Sequence, residues 1–209
     1  YHNMFALVQD GSIVSYPKGN KGITINDIQY PQTIFTLWTE EERNAIGIYT
    51  VEIDNSNFKD ETFFTNTNQT ISFDEDENKV KASYGTATAK RLDDENAVDD
   101  NGDPILDSNG NQMVNIGLKT KYKTQFNYQA KSLLDKTDWY IIKATDVDSY
   151  SVPSNITTYR AAVRTKVNSM EADIDACSNV EELETLLKYT TDDNGVQSRP
   201  LGEFPDEVV

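Results

Sequence analysis

The chain has 209 residues, with 35 Asp and Glu against 19 Lys and Arg, for a formal net charge of −16. That balance argues against a nucleic-acid or anionic-lipid partner, since affinity for phosphate comes largely from Lys and Arg. One cysteine, Cys177, and one histidine, His2, exclude a disulfide within the chain, a cysteine-based zinc site and the Ser-His-Asp or Cys-His mechanisms that need an imidazole.

No apolar run approaches the roughly 20 residues that span a bilayer, so no membrane association is expected. The start lacks a basic segment followed by a long apolar one. Met4 reads as the natural initiator after a three-residue remnant, Tyr1 to Asn3, which carries the single histidine. The expectation is a soluble protein made in a cytoplasm.

In chain order, Phe5 to Tyr16 predicts a β-hairpin, because apolar residues flank Asp10-Gly11, a pair suited to the φ > 0 positions of a tight turn. Pro17, Gly19 and Gly22 predict a loop, and Gln29 to Gln32 a second turn. Thr39 and Glu42 fit a capping box that opens a short helix, ended by Gly47. Ile48–Ile53 predicts a strand. Ile71–Phe73 and Lys79–Tyr84 predict two more around the acidic turn 74–78, with Val80, Ala82 and Tyr84 on one face. Residues 93–117 hold two Asn-Gly pairs and predict a projecting hairpin or meander.

The character changes at Gly117. Tyr122, Phe126, Ala130, Leu133 and Leu134 recur at helical spacing, then Thr137 to Tyr140 interrupts, and a loop is expected to Pro153. The longest helix is expected from Ser154, as N-cap, with a stripe of Ile156, Tyr159, Val163, Val167, Met170 and Ile174. Ser178 and Glu181 suggest a second capping box before Leu183, Leu186 and Leu187. The expected fold is α+β: a β-rich domain over 4–117, a three-helix domain over 118–190 and an extended tail over 191–209.

Two constellations suggest chemistry. Asp99, Asn101 and Asp103 alternate, as do Asp107, Asn109 and Asn111 eight residues later. Alternating oxygens suit calcium, which takes six to eight of them. Asx turns account for the same pattern, and the glycine and glutamate positions of an EF-hand are missing. Calcium is the one cofactor this leaves open. The second constellation is Trp139, Tyr140, Tyr159, Arg160 and Arg164. Aromatics beside arginines anchor protein partners, or they close a small helical core with Asp138 paired to an arginine. The acidic runs at 74–77 and 93–94 have nothing apolar nearby to raise a pKa, so catalytic carboxylates are not expected there.

The segment Ala130-Lys-Ser-Leu-Leu-Asp-Lys-Thr-Asp-Trp139, followed beyond Pro153 by Thr158-Tyr-Arg-Ala-Ala-Val-Arg164, resembles the C-terminal region of bacteriophage tail-fibre assembly proteins. The match covers residues 126–168. Phe5-Ala-Leu-Val-Gln-Asp-Gly11 and Leu37 to Tyr49 are also similar to proteins of marine and cyanobacterial phages. The resemblance implies a non-enzymatic chaperone that helps a trimeric fibre fold, with the fibre protein as partner. Its location would be the host cytoplasm during assembly, or the virion tail if it stays on the fibre. Two other readings stand beside it. One is a structural tail component, itself homo-oligomeric, that contacts the host; the other is a glycan-acting enzyme using paired carboxylates.

Overall fold

The computed structural model describes residues 4–208; the remnant reading of residues 1–3, with His2, lies outside them. The fold is α+β: hairpins and short helices come first, and longer helices follow. The chain forms two compact units that divide between Thr88 and Ala89.

In the first unit, β1 (Phe5–Gln9) and β2 (Ser12–Ser15) form the expected hairpin, with Asp10 and Gly11 both at positive φ. A second hairpin joins β3 (Ile23–Ile25) to β4 (Ile28–Tyr30) through Asn26 and Asp27, at φ 48° and 65°. The expected loop at 17–22 and turn at 29–32 missed it, although Asn-Asp between two isoleucines, Ile25 and Ile28, is the same kind of turn signal. Next come α1 (Ile34–Leu37) and α2 (Glu40–Ala45), which opens on the Thr39–Glu42 capping box. Gly47, at φ 88°, leads into β5 (Ile48–Asp54).

After β6 (Phe64–Thr65) come β7 (Thr70–Asp74) and β8 (Lys79–Ser83). The main sheet runs β2-β1-β5-β8-β7, antiparallel except for β5 with β8. Alternation along β1 sends Phe5 and Leu7 to one face, where they join Ile25, Ile34, Phe35 and Ile48. Ala6 and Val8 go to the other face, with Tyr49, Val80, Ile71 and Phe73. Both faces are therefore covered, and the edge strands β2 and β7 come within 8 Å of each other (Cα–Cα), which protects them from pairing with another chain. The Tyr49 hydroxyl donates to Asn78 Oδ1 at 2.8 Å and so ties the β7–β8 turn to the sheet.

The chain passes to the second unit at β9 (Thr88–Ala89). The segment that follows is a three-armed β element. Ala97, Ile105 and Met113 meet at its centre in a closed ring: Ala97 N–H donates to Met113 C=O, Met113 N–H to Ile105 C=O and Ile105 N–H to Ala97 C=O, at 2.8–3.0 Å. Gln112 Nε2 lies within 2.8–3.2 Å of all three of those carbonyl oxygens. One arm is β10 (Glu95–Asn96) with β11 (Val114–Asn115); the other two end in turns at 99–103 and 107–111.

Four helices follow: α3 (Leu118–Asp135), α4 (Asp138–Asp146), α5 (Ser154–Ala176) and α6 (Val180–Leu187). All six members of the expected α5 stripe are buried. The helix begins one residue earlier than a Ser154 cap requires; Pro153 holds the cap position and its carbonyl accepts from Ile156 and Thr157. The second cap is also displaced by one, and it is an N-cap rather than a reciprocal box. Asn179 Oδ1 accepts from Glu182 N–H at 2.8 Å, and the Glu182 carboxylate accepts from Ser178 N–H, because Asn caps as well as Ser.

Three expectations about organisation are corrected. Gly117 is not a boundary: a Cβ there would meet the Leu92 and Asp93 backbone at 2.5 Å, and Leu118 and Lys119 N–H donate to the Arg91 and Leu92 carbonyls. The change in composition at Gly117 marks a tight internal contact, and 93–117 belongs with the helices. The helices of this region number four rather than three, since α4 replaces part of the expected loop. The tail is not extended throughout. β12 (Thr190–Thr191) and β13 (Gln197–Ser198) form a hairpin, and Leu201 is buried with its N–H on the Leu186 carbonyl.

Candidate functional site

The site is built around Arg160. Tyr159 and Arg160 are consecutive on α5 and both turn inward; Arg160 is 8% exposed and Tyr159 4%. Arg160 Nη1 donates to the Leu134 carbonyl at 2.9 Å and to Thr137 Oγ1 at 2.7 Å, while Nη2 meets Asp138 Oδ1 at 2.8 Å. The guanidinium fork thus fastens the last turn of α3 to the first residue of α4. Thr137 is itself buried, and its hydroxyl donates to the Leu134 carbonyl at 3.0 Å. An arginine suits this position because a planar donor fork reaches a carboxylate, a hydroxyl and a helix-end carbonyl together.

What this anchor holds out is α4. The helix contains no buried residue, yet Trp139 is 51%, Ile141 41% and Ile142 59% exposed. Trp139 lies against Tyr140, ring centroids 3.8 Å apart, and Lys143 sits 5.9 Å from the Trp139 ring and 4.4 Å from that of Tyr150. Arg164 is exposed, and among the described residues its side chain donates to the Arg160 carbonyl of its own helix, at 3.5 Å. The five residues singled out in the sequence therefore divide. Tyr159 and Arg160 are core, whereas Trp139, Tyr140 and Arg164 lie outside it.

Burial, with the Glu207 charge adding to it, pushes the Tyr159 phenol up, and its hydroxyl has no hydrogen-bond partner among the described residues. The Cys177 thiol is buried, donates to the Asp173 carbonyl at 3.5 Å and is pushed up by burial, which suppresses thiolate chemistry.

The Asp and Asn cluster resolves into turns. Asp99 Oδ1 accepts from the N–H groups of Asn101 and Asp103 at 2.8 and 3.0 Å; Asp107 Oδ1 accepts from Asn109 and Asn111, both at 2.9 Å. A third copy, which the sequence reading overlooked, repeats the pattern with Asp192 accepting from Asn194 and Val196. In each turn the glycine at the fourth position, Gly102, Gly110 or Gly195, has φ near 80°. The N–H groups of Asn111 and then Asn109 hold the Asp107 carboxyl below the usual range. Among the described residues, no three His, Cys, Asp or Glu side chains gather where they could hold a metal ion.

Asp54, Asp74 and Asp94 are likewise held in the ionised form, chiefly by hydrogen bonds from Ser56, Glu77 and Gly117 in turn. Carboxyls so placed are poor proton donors at neutral pH. No helix among the described residues is long and apolar enough to cross a membrane.

Two features of the site escaped the sequence. Ile141 and Ile142 were read as loop, because four large residues in a row from Trp139 to Ile142 show no helical period. The role of Thr137 depends on Arg160, 23 residues away, and local spacing does not carry it. Comparison of the chain with protein-family models, with curated proteins and with solved structures finds no match.

Proposed function

We propose that this chain is a non-enzymatic, tail-associated phage protein that chaperones tail-fibre assembly by docking fibre protein on α4. The observation that carries the reading is that α4, which holds the Asp-Trp of the resembling motif, buries none of its own residues while exposing Trp139, Ile141 and Ile142. A helix so apolar and so exposed gains little from its own fold, whereas exposed aromatics beside aliphatic residues are typical anchors of protein interfaces. The Arg160 fork gives that helix a fixed start, so a partner meets a rigid face at lower ordering cost. During assembly the protein would act in the host cytoplasm.

Co-expression with the tail-fibre protein of the same phage tests this. Trp139→Ala is expected to lower the yield of soluble trimeric fibre about tenfold, as loss of a central aromatic anchor does, while its circular dichroism stays that of the parent. An unchanged yield from a folded variant would sink the reading.

A second reading, a structural tail component, draws on the three-armed element, whose arms leave Val98, Leu106, Val114 and Ile116 exposed. Quantitative mass spectrometry of purified virions separates the two. A fixed copy number favours the structural role or a chaperone that stays on the fibre. Absence from virions, with abundance in infected cells, favours a transient factor.

A further inference from the structure

We infer that the segment docking on α4 pairs an apolar anchor with a cluster of Lys or Arg, and that this cluster sits over the C-terminal end of the helix. The inference rests on the docking role proposed for α4 and names the chemistry of its occupant.

The argument is one of charge at a helix end. The last carbonyls of a helix carry the negative pole of its dipole, so cations are favoured there and carboxylates are not. The last turn of α4 carries one cation, Lys143, but the helix ends on Asp146, and Asp148 follows two residues later. Both are exposed, and among the described residues no Lys or Arg stands within 4.0 Å of either carboxylate. The nearest lysine in sequence, Lys143, is drawn instead to the rings of Trp139 and Tyr150.

At the other end of α4 the charges are already matched. Asp138 meets Arg160, Lys131 meets Asp135 and Lys136 meets Glu207. The uncompensated negative charge therefore lies at one end, beside the apolar face formed by Trp139 and Ile142, three residues apart on the helix. A bound segment whose cations cap that end relieves the repulsion, and its apolar side chains cover the face. A second copy of this chain is a poor occupant, because each copy carries −16 and like charge opposes association.

The test uses the full chain bound to the fibre protein, with three measurements. A photo-crosslinking amino acid replaces Ile142 to identify the peptide on the face. Affinity is measured for Asp146→Asn/Asp148→Asn and for Trp139→Ala, each at low and high salt. The expected result is a crosslinked peptide with at least two Lys or Arg beside its apolar residue, binding about five- to tenfold weaker in the double variant, and a salt dependence that the double variant loses. If the double variant binds as tightly as the parent, or the crosslinked peptide lacks cations, the basic occupant is overturned although docking on α4 stands. A crosslink to a second copy of this chain also overturns it. If a folded Trp139→Ala variant binds like the parent, docking on α4 fails, and this inference fails with it.

Discussion

The residue with the most consequence in the second unit is Arg160, because three acceptors from two helices depend on one side chain. Replacing it with Met keeps the volume but leaves Asp138 without its cation and removes one donor each from Thr137 Oγ1 and the Leu134 carbonyl. About 2–4 kcal/mol of stability should be lost in urea unfolding, as expected when one partner of a largely buried charge network is removed. Arg160→Lys should recover only a minor part, since an ammonium lacks the fork. Asp138→Asn should cost much less, because Asp138 is nearly half exposed in its side chain.

A second effect at this scale concerns pH. The Gly117 N–H, and after it the Thr120 hydroxyl, hold the Asp94 carboxyl below its ordinary 3.8. A depressed folded value means the contribution is fully present above 3.8 and is lost as the pH falls through the lower, folded value. The thermal midpoint of the parent should therefore decline as the pH drops below about 4, where unfolded aspartates begin to take up protons. Asp94→Ala should show a shallower decline, and equal acid limbs would contradict the assignment.

At the scale of elements, turns and caps were the most legible features of the sequence. Asp10-Gly11, Thr39–Glu42 and the Asn-Gly pairs each satisfy their backbone groups with neighbours within four residues, so local chemistry suffices to place them. The α5 stripe was legible for a related reason: its buried residues follow the helical period. α4 was not, because its apolar residues are consecutive and it is fixed from α5. Two glycines separate the local from the tertiary contribution. Gly102 has φ 85° and nothing within 4 Å of an added Cβ, whereas Gly47 has φ 88° and an added Cβ would sit 2.5 Å from the Val8 carbonyl oxygen. Gly102→Ala should cost about 1 kcal/mol, from the backbone alone. Gly47→Ala should cost about 3 kcal/mol or more, because β1 must shift as well. Chemical denaturation of both variants checks the difference.

At the scale of the whole molecule, the division at 88/89 changes what counts as the helical domain. Arg91 and Leu92, just before the three-armed element, contribute backbone acceptors to the start of α3, and the chain after α6 buries Leu201, whose carbonyl accepts from Lys166 at 2.7 Å. A fragment beginning at Ala89 is therefore expected to unfold cooperatively when followed by circular dichroism. A fragment limited to 118–190, the domain read from the sequence, should melt broadly, because it lacks Arg91 and Leu92, whose carbonyls accept from Leu118 and Lys119, and the buried Leu201.

By itself, the sequence determined the α+β class, the β1–β2 hairpin, the Thr39 cap, the main helix stripe and the acidic balance of charge. Each of these depends on short-range periodicity or on composition. The tertiary structure alone decided the unit boundary, the ring of Ala97, Ile105 and Met113 around Gln112, and the separation of the candidate site into a buried Arg160 anchor and an exposed Trp139 face. These depend on which distant residues share a hydrogen bond or a buried surface, and neither spacing nor propensity encodes that choice.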